Sequence, residues 1–214
     1  MTRIIVIRHG YSVSNAAGRF TGQIDAPLHE IGKEQAKLIA DHLAAHEKID
    51  AVYASDLSRA MDTARPTAER FGLTVTPVPA LRELHEGVWQ GMLFEDVTRD
   101  CKEEFEKHVN DPYYPCPGGE SLADVYARIS DAIIRLATEN EGKCIMLVSH
   151  GGAIRTVRCM AGEGDVKNLY RYPNVKNGTI LIYRYENGKL TTETDEITAH
   201  LDAGSNASAR PEIH

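Results

Sequence analysis

Four short segments of this 214-residue chain carry side chains suited to one kind of chemistry. They are Arg8-His9-Gly10, Ser55-Asp56-Leu57-Ser58-Arg59, Ala80-Leu81-Arg82-Glu83 and Ser149-His150-Gly151-Gly152. Arginines supply planar, permanently charged forks that match the oxygens of a phosphate. A neutral imidazole can attack phosphorus, and a second, protonated one can stabilise charge on the equatorial oxygens. Glycines after each histidine let the backbone approach an anion closely. Glu83 has the wrong sign for an anion pocket, yet a carboxylic acid can protonate a leaving alcohol. A phosphate bound beside it should raise its proton affinity, as that role requires. Taken singly, each of these residues fits an ordinary surface or turn position. Their convergence on one edge is what points to chemistry.

Convergence follows from the elements that precede them. Residues 4–7 (Ile-Ile-Val-Ile) and 144–148 (Cys-Ile-Met-Leu-Val) are short, unbroken, β-branched or apolar runs, the mark of strands buried on both faces of a parallel sheet. Residues 51–54 and 74–78 give two more strands, the last peripheral because Pro77 cannot donate to a ladder. Helical stripes occupy residues 32–46 (Ala36, Ile39, Ala40, Leu43), 57–71 and 122–136. In the last of these Ser121 is the N-cap, and Leu122, Val125, Ile129, Ala132, Ile133 and Leu136 form the buried face. Strand followed by helix, repeated, predicts an α/β fold: a mostly parallel central sheet with helices on both faces. Residues 179–185, Asn187-Gly188 and 190–193 predict a late hairpin that adds an antiparallel edge. Open α/β sheets bind ligands outside the carboxyl ends of their strands, and each chemical segment directly follows a strand.

Composition narrows the partners. Twenty-four Lys and Arg against 31 Asp and Glu give a formal charge of -7, which argues against nucleic acid or an anionic membrane as partner. The N-terminal apolar run is too short for a signal peptide or a membrane span. Four scattered cysteines lack CxxC or zinc spacing, so reduced thiols in the cytoplasm are expected. A metallohydrolase could use His9, His150, Asp56 and Glu83. However, no H-x-x-x-H or H-E-x-x-H spacing occurs, and neighbouring arginines repel a divalent cation. No G-x-S-x-G elbow or P-loop is present. A phosphate-binding regulatory protein without turnover is the alternative from outside enzymology, and the complete set of acid, nucleophile and clamp argues against it.

Together, these motifs resemble the histidine phosphatase superfamily, also called phosphoglycerate-mutase-like. The likeness rests on Arg8-His9-Gly10 with Ser12 and Asn15, on residues 55–60 with Thr63 and Ala64, on Leu81-Arg82-Glu83 with Gly87, Trp89 and Gly91, and on residues 149–152 with Ile154 and Arg155. It spans about residues 3–185. The resemblance implies His9 as the nucleophile that becomes phosphohistidine, with Arg8, Arg59 and His150 holding the phosphoryl group. It implies Glu83 as the proton donor that later activates water, and Asn15 as a contact to phosphate or substrate. Thr21 and Gly22 would lie on a substrate-contacting loop. No metal or other cofactor is implied.

Within the family the choice lies between phosphatase and mutase. Residues 19–28, His85 and Gln90 are similar to mutases, which use a tyrosine shortly after the acid and paired arginines on an inserted segment. Here Glu86 stands at the tyrosine position. Residues 92–120 hold Arg99, Lys102 and Lys107 among many acids, and Gly152 follows Gly151 where mutases carry asparagine. These departures favour a metal-independent phosphatase acting on a small phosphorylated metabolite, with phosphoglycerate-mutase-type transfer as the alternative. One domain is expected over 1–198, with 92–120 as a lid or crossover and 199–214 as a flexible polar tail. The hairpin edge permits a homodimer. His29, His42, His46, His108, His200 and His214 read as surface residues, and Trp89 as a packing anchor.

Overall fold

The computed structural model describes residues 1–202. Six strands form one sheet: β1 (Thr2–Arg8), β2 (Ala51–Ala54), β3 (Val75–Pro77), β4 (Cys144–Ser149), β5 (Ile180–Glu186) and β6 (Lys189–Ile197). Their spatial order is β3-β2-β4-β1-β5-β6. The first four are parallel to one another, while β5 runs antiparallel to β1 and β6 antiparallel to β5. The proline-containing β3 is at one edge and the hairpin at the other.

Eight helices accompany them among the described residues: α1 (Val13–Ala16), α2 (Glu30–His46), α3 (Ser58–Arg70), α4 (Phe94–Asp100), α5 (Lys102–Asn110), α6 (Leu122–Glu139), α7 (Gly151–Ala161) and α8 (Ala199–Asp202). Alternate strand residues feed two cores. Ile4, Val6, Ile145 and Leu147 face Val125, Ile129 and Ile133 of α6 and Ile154 and Val157 of α7. Ile5, Ile7, Met146 and Val148 face Ile39 and Leu43 of α2 and Ala60, Ala64 and Ala68 of α3. All eight of these strand residues are at most 1% exposed, which explains why their sequence shows no polar alternation. At the start of α6 the Ser121 hydroxyl accepts from the Asp124 N–H at 3.1 Å. The Asp124 carboxylate accepts in return from the Ser121 N–H at 2.9 Å, closing a capping box.

Three expectations need correction. The second hairpin strand continues to Ile197; between Leu190 and Ile197 it carries only polar residues, so no apolar alternation marks its length. Ala199–Asp202 is helical, with His200 buried beside His42 at a ring separation of 5.2 Å, and so belongs to the packed structure. The remainder of the expected tail, 203–214 (His214 included), lies outside the described residues. His108 is likewise buried, 5.6 Å from the Trp89 ring, with Nδ1 2.9 Å from the Tyr114 carbonyl. A single histidine within an acidic helix carries no sign of the loop that folds over it.

Candidate active site

The register between β1 and β4 builds the centre of the site. Arg8 pairs with Ser149, so the next residues, His9 and His150, leave neighbouring strands level with one another. The His9 N–H donates to the Ser149 carbonyl at 3.0 Å, prolonging the ladder by one step. Parallel strands lie about 4.8 Å apart, and the two imidazole centroids are 5.0 Å apart with a 59° tilt.

The two rings are prepared differently. Nδ1 of His9 is 2.8 Å from the Gly10 carbonyl, which can only accept, so the proton sits on Nδ1 and Nε2 keeps its lone pair. Burial, then the charges of Arg59 and Arg8, push the His9 imidazolium well below the usual histidine range. His9 is therefore a neutral imidazole whose Nε2 keeps its lone pair available for attack. His150 is fully buried, and neither ring nitrogen has a hydrogen-bond partner among the described residues. Burial, then Arg59, His9 and Arg8, hold it neutral as well. The surrounding cations repel a proton on this ring, and an anion placed between them would offset that repulsion.

Arg8, Arg59 and Asn177 enclose the pair. Arg8 ends β1 and is 8% exposed; its guanidinium donates to the Val175 carbonyl and passes 3.6 Å from where a side chain on Gly151 would begin. Arg59, 1% exposed on the first turn of α3, donates to the carbonyls of Gly22 and Ile24 at 2.8 Å each, while its buried Nε has no partner. The same residue thus charges the site and ties down the 20–24 loop. On the far side the Asn177 amide donates to the His9 carbonyl at 2.9 Å and to the side-chain oxygen Oδ1 of Asn15 at 3.4 Å. Nothing in the sequence marks Asn177 as a site residue; an asparagine in a Pro-Asn-Val-Lys-Asn-Gly loop looks like turn chemistry. The Asn15 oxygen also caps α1, accepting from the Ser12 N–H and hydroxyl, so only its amide nitrogen remains to face a ligand. Gly22 reaches the cluster through its carbonyl, whereas the Thr21 hydroxyl turns to Arg19 at 3.4 Å.

Glu83 joins the others through the start of α7. One carboxylate oxygen accepts from the Gly152 N–H at 3.1 Å and the other from the Leu84 N–H at 2.9 Å. A Cβ on residue 152 would stand 2.6 Å from that second oxygen, so any side chain there would push the Glu83 carboxylate out of place. Glu86, three residues on, is partly buried with Oε2 unpartnered. Burial first, then the Glu83 charge, raise its carboxyl to about 8, against partial opposition from Arg59 and the Gly22 N–H. It is a neutral acid at pH 7.

Residues 92–120 form α4, α5 and a proline-containing loop. They lean on the 20–24 loop through Phe20, which stacks on Phe94 at 5.4 Å and lies 6.2 Å from Phe105. Of the cations here, Arg99 pairs with Asp96 and Asp100 and Lys102 with Glu106, while Lys107 lies 5.9 Å from the centre of the Tyr114 ring. Among the described residues no group of three or more His, Cys, Asp or Glu side chains is arranged to hold a metal ion.

This site, on this sheet, defines a class. Residues 4–197 match the family model described as "Histidine phosphatase superfamily (branch 1)", and the chain belongs to that superfamily. It is similar to phosphoserine phosphatase 1 of Hydrogenobacter thermophilus, with 32% identity over 94% of this chain and 95% of that one. A metal-independent phosphoserine phosphatase of Arabidopsis thaliana is 38% identical over 73% of this chain and 67% of its own length. Among solved structures, a phosphoserine phosphatase of Entamoeba histolytica in complex with 3-phosphoglyceric acid superposes with a TM-score of 0.81 at 27% identity. That match covers 94% of this chain and all of the other. The protein is a phosphomonoester hydrolase of the histidine-phosphatase type.

Proposed function

We propose that the protein hydrolyses small phosphorylated metabolites in two steps through a phosphohistidine on His9. Nε2 of His9 attacks phosphorus, the ester P–O bond breaks, and Glu83 as the acid gives its proton to the departing alkoxide. A water oxygen then attacks phosphorus and passes a proton to the Glu83 carboxylate. The P–N bond breaks, its electron pair returns to Nε2, and inorganic phosphate leaves. Arg8 and Arg59 bind the non-bridging oxygens. A phosphoryl dianion between them outweighs the repulsion that keeps His150 neutral, so the ring gains a proton and donates to the same oxygens. Asn15 lines the rim through its amide nitrogen, and the Thr21–Gly22 turn flanks the leaving group.

The observation that carries this reading is the pair of imidazoles 5.0 Å apart between two buried arginines, one ring with its tautomer set for attack. Hydrolysis is favoured over mutase transfer by the 92–120 segment, where Arg99 and Lys102 pair with neighbouring acids and Lys107 lies over the Tyr114 ring. That segment has no Arg-Arg pair to hold a carboxylated sugar acid through reorientation. The relatives' names make phosphoserine a natural member of the substrate panel. Four unpaired cysteines suit a cytoplasmic setting, and the β6 edge permits a homodimer. The test is a panel of phosphorylated metabolites assayed with a strong chelator present, with phosphoglycerate mutase activity as counter-assay. Chelator-resistant release of phosphate is expected. Mutase turnover exceeding hydrolysis, or loss of activity on chelation, would overturn the reading.

A further inference from the structure

Glu83 sits on an irregular loop between β3 and α4, a poor support for an acid that must hold its position to within a fraction of an ångström. Three anchors hold this loop. The Ser149 hydroxyl at the end of β4 donates to the Leu81 carbonyl at 2.8 Å. Arg82 makes a two-pronged pair with Asp56, its Nε and Nη2 donating to the two carboxylate oxygens at 2.7 and 2.5 Å. The third anchor reaches across from α6. Arg128 Nη1 donates to the carbonyls of Ala80 at 3.0 Å and Arg82 at 2.7 Å, and Nη2 donates to the carbonyl of Glu83 itself at 2.8 Å. Its Nε and Nη2 also donate to the two oxygens of Glu120, at 2.8 and 2.9 Å. All five N–H groups that a guanidinium possesses are therefore engaged. Glu120 extends the frame by accepting the His85 N–H at 2.8 Å. Burial opposes charge on Glu120, but Arg128 and the His85 N–H outweigh it and hold the carboxyl below its usual range. The Glu83 carbonyl takes a further bond from Gln23 at 3.0 Å.

We infer that Arg128, braced by Glu120, is a positioning residue for the proton donor: it fixes the backbone of residues 80–85 so that the Glu83 carboxyl meets the leaving oxygen. The geometry gives it no part in binding the phosphoryl group, since every donor is already used on the loop or on Glu120. Lysine cannot substitute, because the three donors of an ammonium do not serve five acceptors. The inference rests on the reading of Glu83 as the acid, and the experiment separates the two.

The measurement is kcat/KM for an alkyl phosphate, whose poor leaving group needs the proton, relative to an aryl phosphate with an activated leaving group that does not. The ratio for one preparation is independent of how much of it is folded. E83Q is measured first; if it does not lower the alkyl-to-aryl ratio, the reading of Glu83 itself is wrong. Given that loss, R128M is expected to lower the ratio more than fivefold and E120Q to lower it in the same sense. R128M is also expected to add little to E83Q in the double variant. R128K, which keeps the charge, should not restore the ratio, and it serves in place of R128M should that variant not fold. A change smaller than fivefold overturns the inference, as does an additive loss in the double variant. So does the failure of both Arg128 variants to give active enzyme, which would make the residue a structural element only.

Discussion

Glu86 offers a sharp test of the site's electrostatics. Its buried Oε2 has no donor facing it and Glu83 lies close by, so the neutral acid is the favoured form up to about pH 8. With that midpoint roughly 90% of the protein carries the proton at pH 7 and roughly 10% at pH 9. Losing it adds a negative charge where a phosphate dianion must bind, and the repulsion falls on substrate and transition state alike. If only the protonated form is productive, kcat/KM should fall by about tenfold from pH 7 to pH 9 and tenfold per unit beyond. Glu86→Gln keeps the shape and removes the titration. Its profile should stay flat across that range while its value at pH 7 remains within about threefold of wild type. The assay is initial rate at low substrate with an activated aryl phosphate, which does not need the Glu83 proton and is already dianionic above pH 7, so neither Glu83 nor substrate ionisation intrudes. An alkaline limb that persists unchanged in Glu86→Gln would refute the assignment, and a flat wild-type profile would refute the buried neutral acid altogether.

Other outcomes follow from contacts already described. Gly152→Ala sets a Cβ 2.6 Å from the Glu83 carboxylate and disturbs the bond from the Gly152 N–H. A lost hydrogen bond to a charged group is worth about 1.5–3 kcal/mol, so kcat/KM for an alkyl phosphate should drop roughly 10–150-fold without loss of fold by circular dichroism. Gly32→Ala drives a methyl into the Tyr11 carbonyl, where helix and strand-end loop touch backbone to backbone. It should cost about 3 kcal/mol or more, seen as a lower melting temperature. His9 and His150 are neutral when folded and take up protons when unfolded, so the unfolded chain binds more protons as pH falls below its histidine range. Each such residue should remove about 1.4 kcal/mol between pH 7.5 and 5.5, a combined fall of roughly 6–11 °C in Tm. A constant Tm over that interval would contradict their burial as neutral rings.

Much of this architecture is legible in the sequence because the strands that carry the site are buried on both faces. An unbroken run such as Ile4–Ile7 suits a doubly buried strand and little else, and once it is a parallel strand its following residues must project at the binding edge. Arg8, His9, Arg59, Glu83 and His150 all show themselves in that way. Residues outside strand ends do not. Arg128 follows helical spacing next to the buried Ile129 and reads as a solvated flank. Its role depends on a loop more than 40 residues away. Asn177 reads as a turn residue, and Glu86 shows only the absence of a tyrosine, with no sign of the burial that changes its charge state. Histidines 108 and 200 look like surface residues because burial by a loop or by a late helix leaves no periodic trace. Chemistry carried by regular elements shows in the pattern, whereas support carried by long-range side-chain bonds does not.

The proposed mechanism turns on a covalent bond between phosphorus and Nε2 of His9. Rapid quenching of the enzyme with phosphate-labelled substrate, followed by peptide mapping under alkaline conditions, should yield an acid-labile adduct on the peptide containing His9, formed and discharged at rates compatible with turnover. No adduct should form in His9→Ala. Label on another residue, or full turnover in His9→Ala, would contradict the mechanism at its root.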